Sequence, residues 1–216
     1  MLEFGGLSDS ILMRQLPLEI SQAVEPSFDN FVAGDNAEAL ERVRELALGR
    51  LREAVVYLWG ATGSGRTHLL RAAARASASL VIADDVQTLD SEAQQRLFGA
   101  INAARDGRGA VLAAGSAPPG ALALREDLRS RLAWGLVYHL KPLGEAEKMR
   151  HLQDEAGRRG LALTDEIAAY LLARVPRDMA TLTALLEALD REALTRKRPL
   201  TLPLVREVLE ESNGKA

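Results

Sequence analysis

Gly60-Ala61-Thr62-Gly63-Ser64-Gly65-Arg66-Thr67 lies between an apolar run, Ala54-Val55-Val56-Tyr57-Leu58-Trp59, and a helical-looking segment from Thr67 to Ala76. Strand, glycine-rich turn and helix start, in that order, build a cradle for phosphate. The glycines let backbone N–H groups converge without a Cβ clash, and the helix N-terminus adds partial positive charge. Thr67 supplies a hydroxyl where a magnesium ion would sit. The stretch is a P-loop with one departure, because Arg66 stands where the pattern has lysine. A planar guanidinium keeps the charge but not the compact ammonium, so the stretch argues for nucleotide binding more strongly than for fast hydrolysis. The plain alternative is a structural glycine turn.

The chain has 216 residues, 47% of them hydrophobic, enough for one or two domains with a real core. It has no cysteine, which excludes a disulfide framework and thiolate metal sites. No apolar run reaches membrane-spanning length and no signal-peptide pattern opens the chain, so a soluble, cytoplasmic protein is expected. A net charge of −3 and 4% aromatic residues argue against a general polyanion binder or a single-strand stacking platform.

Residues 1–12 read as a leader, with Met13 as an alternative start. Gln15-Leu16-Pro17-Leu18-Glu19-Ile20 reads as extended, since Pro17 disfavours helix. A glutamine with spaced apolar residues (Leu16, Leu18, Ile20) suits insertion into a partner's apolar pocket; the alternative is a tail folded on its own domain. Ser27 to Asn36 reads as a loop whose Phe31 and Val32 could flank a purine, or whose two phenylalanines, Phe28 and Phe31, merely staple it to the core. A helix is expected from about Ala37 to Arg52, capped by Asp35 or Asn36.

Leu80-Val81-Ile82-Ala83 reads as a buried parallel strand ending in Asp84-Asp85. Acids at a strand's C-terminal end face the ligand crevice, so Asp84 is expected to hold magnesium through water and Asp85 to orient an attacking water. Capping of a helix beginning near Ser91 is the competing role. Ala110–Ala114 and Leu136–Leu140 are further strands, separated by Ser116 at a strand tip and by the charged helical turn Asp127–Leu132. Lys141-Pro142-Leu143-Gly144 marks a boundary, and helices follow over about 145–159, 165–174, 178–195 and 202–210. The domains expected are 1–26 as leader, 27–143 as nucleotide-binding unit and 144–216 as a helical lid. His68, His139 and His151 carry no metal spacing; His68 lies beside the P-loop threonine, where packing or solvent contact suffices to explain it.

P-loop, strand-tip Asp-Asp, strand, arginine-bearing turn and helical lid, in this order, resemble the AAA+ ATPases. Phe28-Asp29-Asn30-Phe31-Val32-Ala33-Gly34 is similar to the opening of the AAA+ domain of the bacterial initiator DnaA. Tyr57-Leu58-Trp59, Gly65-Arg66-Thr67-His68-Leu69-Leu70, Ser130-Arg131-Leu132-Ala133-Trp134-Gly135 and Tyr138-His139-Leu140-Lys141-Pro142-Leu143 together resemble the Hda family of DnaA-related regulators, over roughly residues 13–210. That resemblance implies an α/β AAA+ fold with a small all-α lid, binding of ADP or ATP with Mg, and DnaA and the DNA polymerase III β sliding clamp as partners. Gln15, Leu16, Leu18 and Ile20 would then form the clamp-binding peptide. Arg131 matches the arginine finger offered to a partner's nucleotide, with Arg129 as the fallback. Arg177 matches the lid arginine that contacts nucleotide, and residues 60–68 with Phe31 and Val32 match the nucleotide site.

The chain departs from the family pattern at three points. Sixteen residues separate Thr67 from Asp84, room for one helix and a turn but not for the usual further strand and helix. A four-stranded parallel core with a new sheet edge is therefore expected. Ser116 stands where relatives carry a longer acidic side chain, and Arg66 replaces lysine as it does in Hda itself; both imply weak intrinsic hydrolysis. No helix-turn-helix segment follows the lid, so sequence-specific DNA binding is not expected, while self-association is left open. Two other readings compete with an adaptor acting on another ATPase. One is an autonomous initiator- or loader-type ATPase using Asp84 and Asp85; the other is a module whose nucleotide only stabilises the fold.

Overall fold

The computed structural model describes residues 25–175 and 179–214. Four parallel strands form one sheet in the order β2-β3-β1-β4. They are β1 (Val55–Trp59), β2 (Leu80–Ala83), β3 (Ala110–Gly115) and β4 (Leu136–His139). Around them run α1 (Ala37–Ala47), α2 (Arg66–Ala76), α3 (Ser91–Arg105) and α4 (Glu126–Leu132). The chain then continues through α5 (Glu145–Arg158), α6 (Asp165–Arg174), α7 (Met179–Arg196) and α8 (Leu202–Gly214).

β1 occupies the middle of the sheet because its residues are apolar on both sides. Val56 and Leu58 point into one core with Val43, Leu46, Leu69 and Leu70 of α1 and α2. Val55 and Tyr57 point into the other, with Leu97, Ile101, Leu128 and Leu132 of α3 and α4. Such two-sided burial is what a parallel strand requires. The register pairs Trp59 with Gly115 of β3 and with His139 of β4, so three strand ends meet at one rim. After β1 the chain runs out to the edge strand β2 and returns through β3, which opens a crevice at the carboxyl ends of the strands.

The short span between Thr67 and Asp84 has the expected result: α2 leads straight into β2, and β2 lies at the sheet edge with Val81 exposed. The helices after residue 144 share a separate apolar cluster, including Leu152, Ile167, Leu171, Leu185, Leu189 and Val205. No described helix is long and apolar enough to cross a membrane.

Two local expectations are corrected. α1 ends at Ala47 rather than Arg52, because Gly49 adopts a left-handed φ of 67° and the chain turns there. Asn36 precedes α1 but makes no capping hydrogen bond. Its side chain is buried and pairs instead with the backbone of Lys141: Nδ2 donates to the carbonyl at 2.9 Å, and the Lys141 N–H donates to Oδ1 at 2.8 Å.

Candidate nucleotide site

The P-loop conformation follows from its glycines. Gly63 and Gly65 have φ of 82° and 94°, a region that L side chains rarely adopt. A Cβ on Gly65 would come within 2.6 Å of the Phe31 ring, and one on Gly60 within 2.4 Å of the Leu140 carbonyl oxygen. The turn thus leaves β1 tightly and delivers the chain to the start of α2, whose first N–H groups lack helical acceptors.

A cleft of about 590 Å³ opens above this turn. It is lined by Phe31, Val32, Thr62, Gly63, Ser64, Gly65, Arg66, Thr67, His68 and Asp85 among the residues expected from sequence. Gly60 and Ala61 form the stem below: the Gly60 N–H donates to the Gly115 carbonyl, and the Ser64 N–H donates to that of Ala61. The Ser64 hydroxyl is buried inside the turn with no hydrogen-bond partner among the described residues. A phosphate oxygen in the cradle would satisfy it.

The acids at the end of β2 turn toward the P-loop. Thr67 Oγ1 donates to Asp84 Oδ2 at 2.7 Å, joining a hydroxyl and a carboxylate of the kind that hold magnesium. Asp85 has a left-handed φ of 43° and accepts from Arg66 Nη1 at 3.3 Å. Gln87 Nε2 donates to the same Asp85 oxygen at 3.0 Å, while Gln87 Oε1 accepts from the Ser116 N–H at 3.1 Å. One chain of contacts therefore joins the P-loop cation to the tip of β3. The cap of α3 is neither Asp84 nor Asp85 but Asp90, whose Oδ1 accepts from the Ala93 N–H.

The Phe31 loop is fixed on the opposite wall. His68 Nε2 bonds the Ser27 carbonyl at 2.9 Å, so this nitrogen carries the proton, and the ring lies 5.3 Å from that of Phe31. Burial holds the His68 pKa below the ordinary imidazole value, partly countered by the Ser27 bond. Under the β3 end, burial pushes the Tyr57 phenol up to about 12 against the opposing field of Arg66, so it stays a donor, to the Ala117 carbonyl at 2.7 Å.

Sequence reasoning missed Gln87, Arg71 and Lys148, all of which line the cleft. Arg71 follows Thr67 by four residues on α2, so helical spacing could have found it. Lys148 arrives from α5 across the molecule, and nothing local signals it.

Arg131 does not line this cleft. It lies at the end of α4, where its guanidinium carbon sits 3.6 Å from the Trp134 ring centroid and 5.3 Å from that of Phe98. Arg129, the fallback, points elsewhere and donates to the Gly120 carbonyl at 3.4 Å. Arg177 and the Gln15, Leu16, Leu18, Ile20 peptide lie outside the described residues.

Comparison with known proteins fits this geometry. Residues 145–209 match the family model described as "Hda, lid domain". An uncharacterised protein of Haemophilus influenzae is 32% identical over 228 aligned residues, covering 91% of this chain and 98% of that protein. Domain III of the Thermotoga maritima replication initiation protein DnaA superposes with a TM-score of 0.65 at 19% identity, covering 87% of this chain and 97% of that one. AMPPCP-bound DnaA from Aquifex aeolicus gives 0.63 at 20% identity, covering 81% and 69%. The chain thus has the AAA+ fold of DnaA domain III on its four-stranded parallel sheet, carries an Hda lid domain over residues 145–209, and belongs to one family with its Haemophilus relative.

Proposed function

We propose that this protein is an Hda-like negative regulator of replication initiation that binds adenine nucleotide, ADP in its working state, and stimulates hydrolysis of ATP held by DnaA. The observation that carries the reading is the placement of Arg131. Its guanidinium lies outside the chain's own cleft, has no ion-pair partner among the described residues, and rests on aromatic rings. A cation placed this way is free to enter another subunit's nucleotide site, where an arginine offered in trans stabilises charge developing on the phosphoryl group. The chain's own P-loop cation is instead engaged by Asp85, which suits a retained diphosphate better than turnover.

In this reading residues 60–68 hold the phosphates, Phe31 and Val32 flank the base, and Arg177 of the lid contacts the nucleotide. The Thr67 hydroxyl and, through water, Asp84 hold Mg, which supplies charge neutralisation to the phosphates. The DnaA neighbour bound to AMPPCP supports an adenine nucleotide. Residues 27–143 form the nucleotide-binding domain and 144–216 the lid. The leader, 1–26, tethers the protein to the β sliding clamp through Gln15, Leu16, Leu18 and Ile20, and the protein works in the cytoplasm.

A second reading, an autonomous ATPase, draws on the intact Thr67–Asp84 pair and the Asp85–Gln87–Ser116 contacts, which could position water. Single-turnover hydrolysis of ATP preloaded on DnaA, with clamp on DNA, separates the two. The regulator accelerates it, and Arg131→Ala removes on the order of a thousandfold of that acceleration. Robust turnover by the isolated chain, abolished by Asp85→Ala, would establish the autonomous ATPase instead.

A further inference from the structure

Trp134 is 48% exposed, although tryptophan contributes most when its rings are covered. What lies on it is charged. Arg131 is 3.6 Å from its ring centroid and Arg105, from α3, is 4.3 Å away. Phe98, also on α3, lies 5.3 Å from the Arg131 guanidinium. Among the described residues neither Arg131 nor Arg105 forms an ion pair with a carboxylate, and the Arg131 Nε is buried without a hydrogen-bond partner. The backbone that carries the indole is held in place. The Trp134 backbone N–H donates to the Arg131 carbonyl at 3.2 Å, and the next residue, Gly135, presses so closely on β1 that a Cβ there would meet the Val55 carbonyl oxygen at 2.1 Å.

We propose that Trp134 is a positioning residue for Arg131: its ring face holds the guanidinium in a presented rotamer without neutralising it. This rests on the reading of Arg131 as a finger in trans. The physical distinction is between two ways of fixing a long cation. A carboxylate would fix it but cancel the charge that a partner's nucleotide needs. An aromatic quadrupole attracts the cation while leaving its N–H groups and net charge available. Arg105 on the same ring adds like-charge repulsion, which favours departure of one guanidinium toward an anion when a phosphate approaches.

The test compares Trp134→Phe, Trp134→Leu and Arg131→Ala in the single-turnover assay with ATP-loaded DnaA, clamp and DNA, titrating the regulator. Leucine keeps apolar bulk but has no ring face. We expect Trp134→Leu to lower the maximal rate about tenfold with the half-saturating concentration unchanged, and Trp134→Phe to retain most of the rate. A partner-free readout uses the Trp59→Phe background, which leaves Trp134 as the only tryptophan of two. There Arg131→Ala shifts its emission, because the stacked cation is gone. Equal rates for wild type and Trp134→Leu, beside an inactive Arg131→Ala, overturn the inference and leave the finger intact. A change confined to half-saturation makes Trp134 a docking contact and also overturns it. Full acceleration by Arg131→Ala overturns the finger reading itself, whatever the emission shows.

Discussion

At Asp85 a single carboxylate decides what the P-loop cation can do. Arg66 is largely enclosed, with its side chain 11% exposed, and its ion-pair partner among the described residues is Asp85. In the nucleotide pose proposed above, a triphosphate would bring its terminal charge toward that carboxylate at the end of β2, whereas a diphosphate would stop short of it. Asp85→Asn keeps the size and an acceptor oxygen for Gln87 while removing the charge. The expected outcome is ATP affinity raised about three- to tenfold relative to ADP, by titration with both nucleotides; the half-exposed carboxylate limits the effect to that range. Unchanged relative affinity would mean that Asp85 does not face the terminal phosphate. The left-handed backbone of Asp85 is part of this arrangement, since it turns the carboxylate back toward α2 while Asp84 reaches Thr67.

Among the elements, Asn36 ties the segment ahead of α1 to the chain just after β4. Asn36 is 4% exposed and both its polar ends bond the Lys141 backbone, so Asn36→Ala removes both hydrogen bonds at once. The expected loss is about 1 to 3 kcal/mol in denaturant unfolding, with weaker nucleotide binding because Phe31 and Val32, just upstream in the same segment, line the cleft. This contact explains part of what the sequence hides. Strand, P-loop and acidic strand tip were legible because each is contiguous: Val55–Trp59, 60–67 and Leu80–Asp85 carry their own periodicity and chemistry. The four-stranded sheet was legible from the length of one connection. Asn36 looked like a cap because its neighbours fit a cap, and its true partner is 105 residues away. Gln87 and Lys148 were hidden for the same reason, and the aromatic shelf under Arg131 combines residues of α3 with the turn after α4.

For the whole molecule, two half-buried histidines in separate parts of the fold make stability depend on pH in one direction. His68 sits in the α/β part beside the P-loop, and His151 lies on α5 in the helical part. Burial lowers the pKa of both below the ordinary imidazole value; at His151 the nearby Glu155 pulls the other way and Arg158 adds to the lowering. A histidine whose folded pKa is depressed binds fewer protons folded than unfolded. Its cost is therefore absent above the unfolded value, about 6.5, and grows as pH falls through that value until the folded pKa is reached. Each can steepen the dependence by at most about 1.4 kcal/mol per pH unit. Glu155 acts in the same sense at lower pH: burial pushes its pKa up, but hydrogen bonds from Arg159 and Arg158 outweigh it and hold it below the usual value, so its contribution is lost only as carboxylates protonate. Unfolding free energy, measured from pH 7.5 to 5.5, should accordingly decline below about pH 6.5. Substituting His68→Gln, which retains a donor for the Ser27 carbonyl, should remove part of the slope, and adding His151→Gln should remove most of the rest. A slope that survives both substitutions would place the acid sensitivity on other groups, and a flat wild-type profile would show that neither imidazole is kept neutral by the fold.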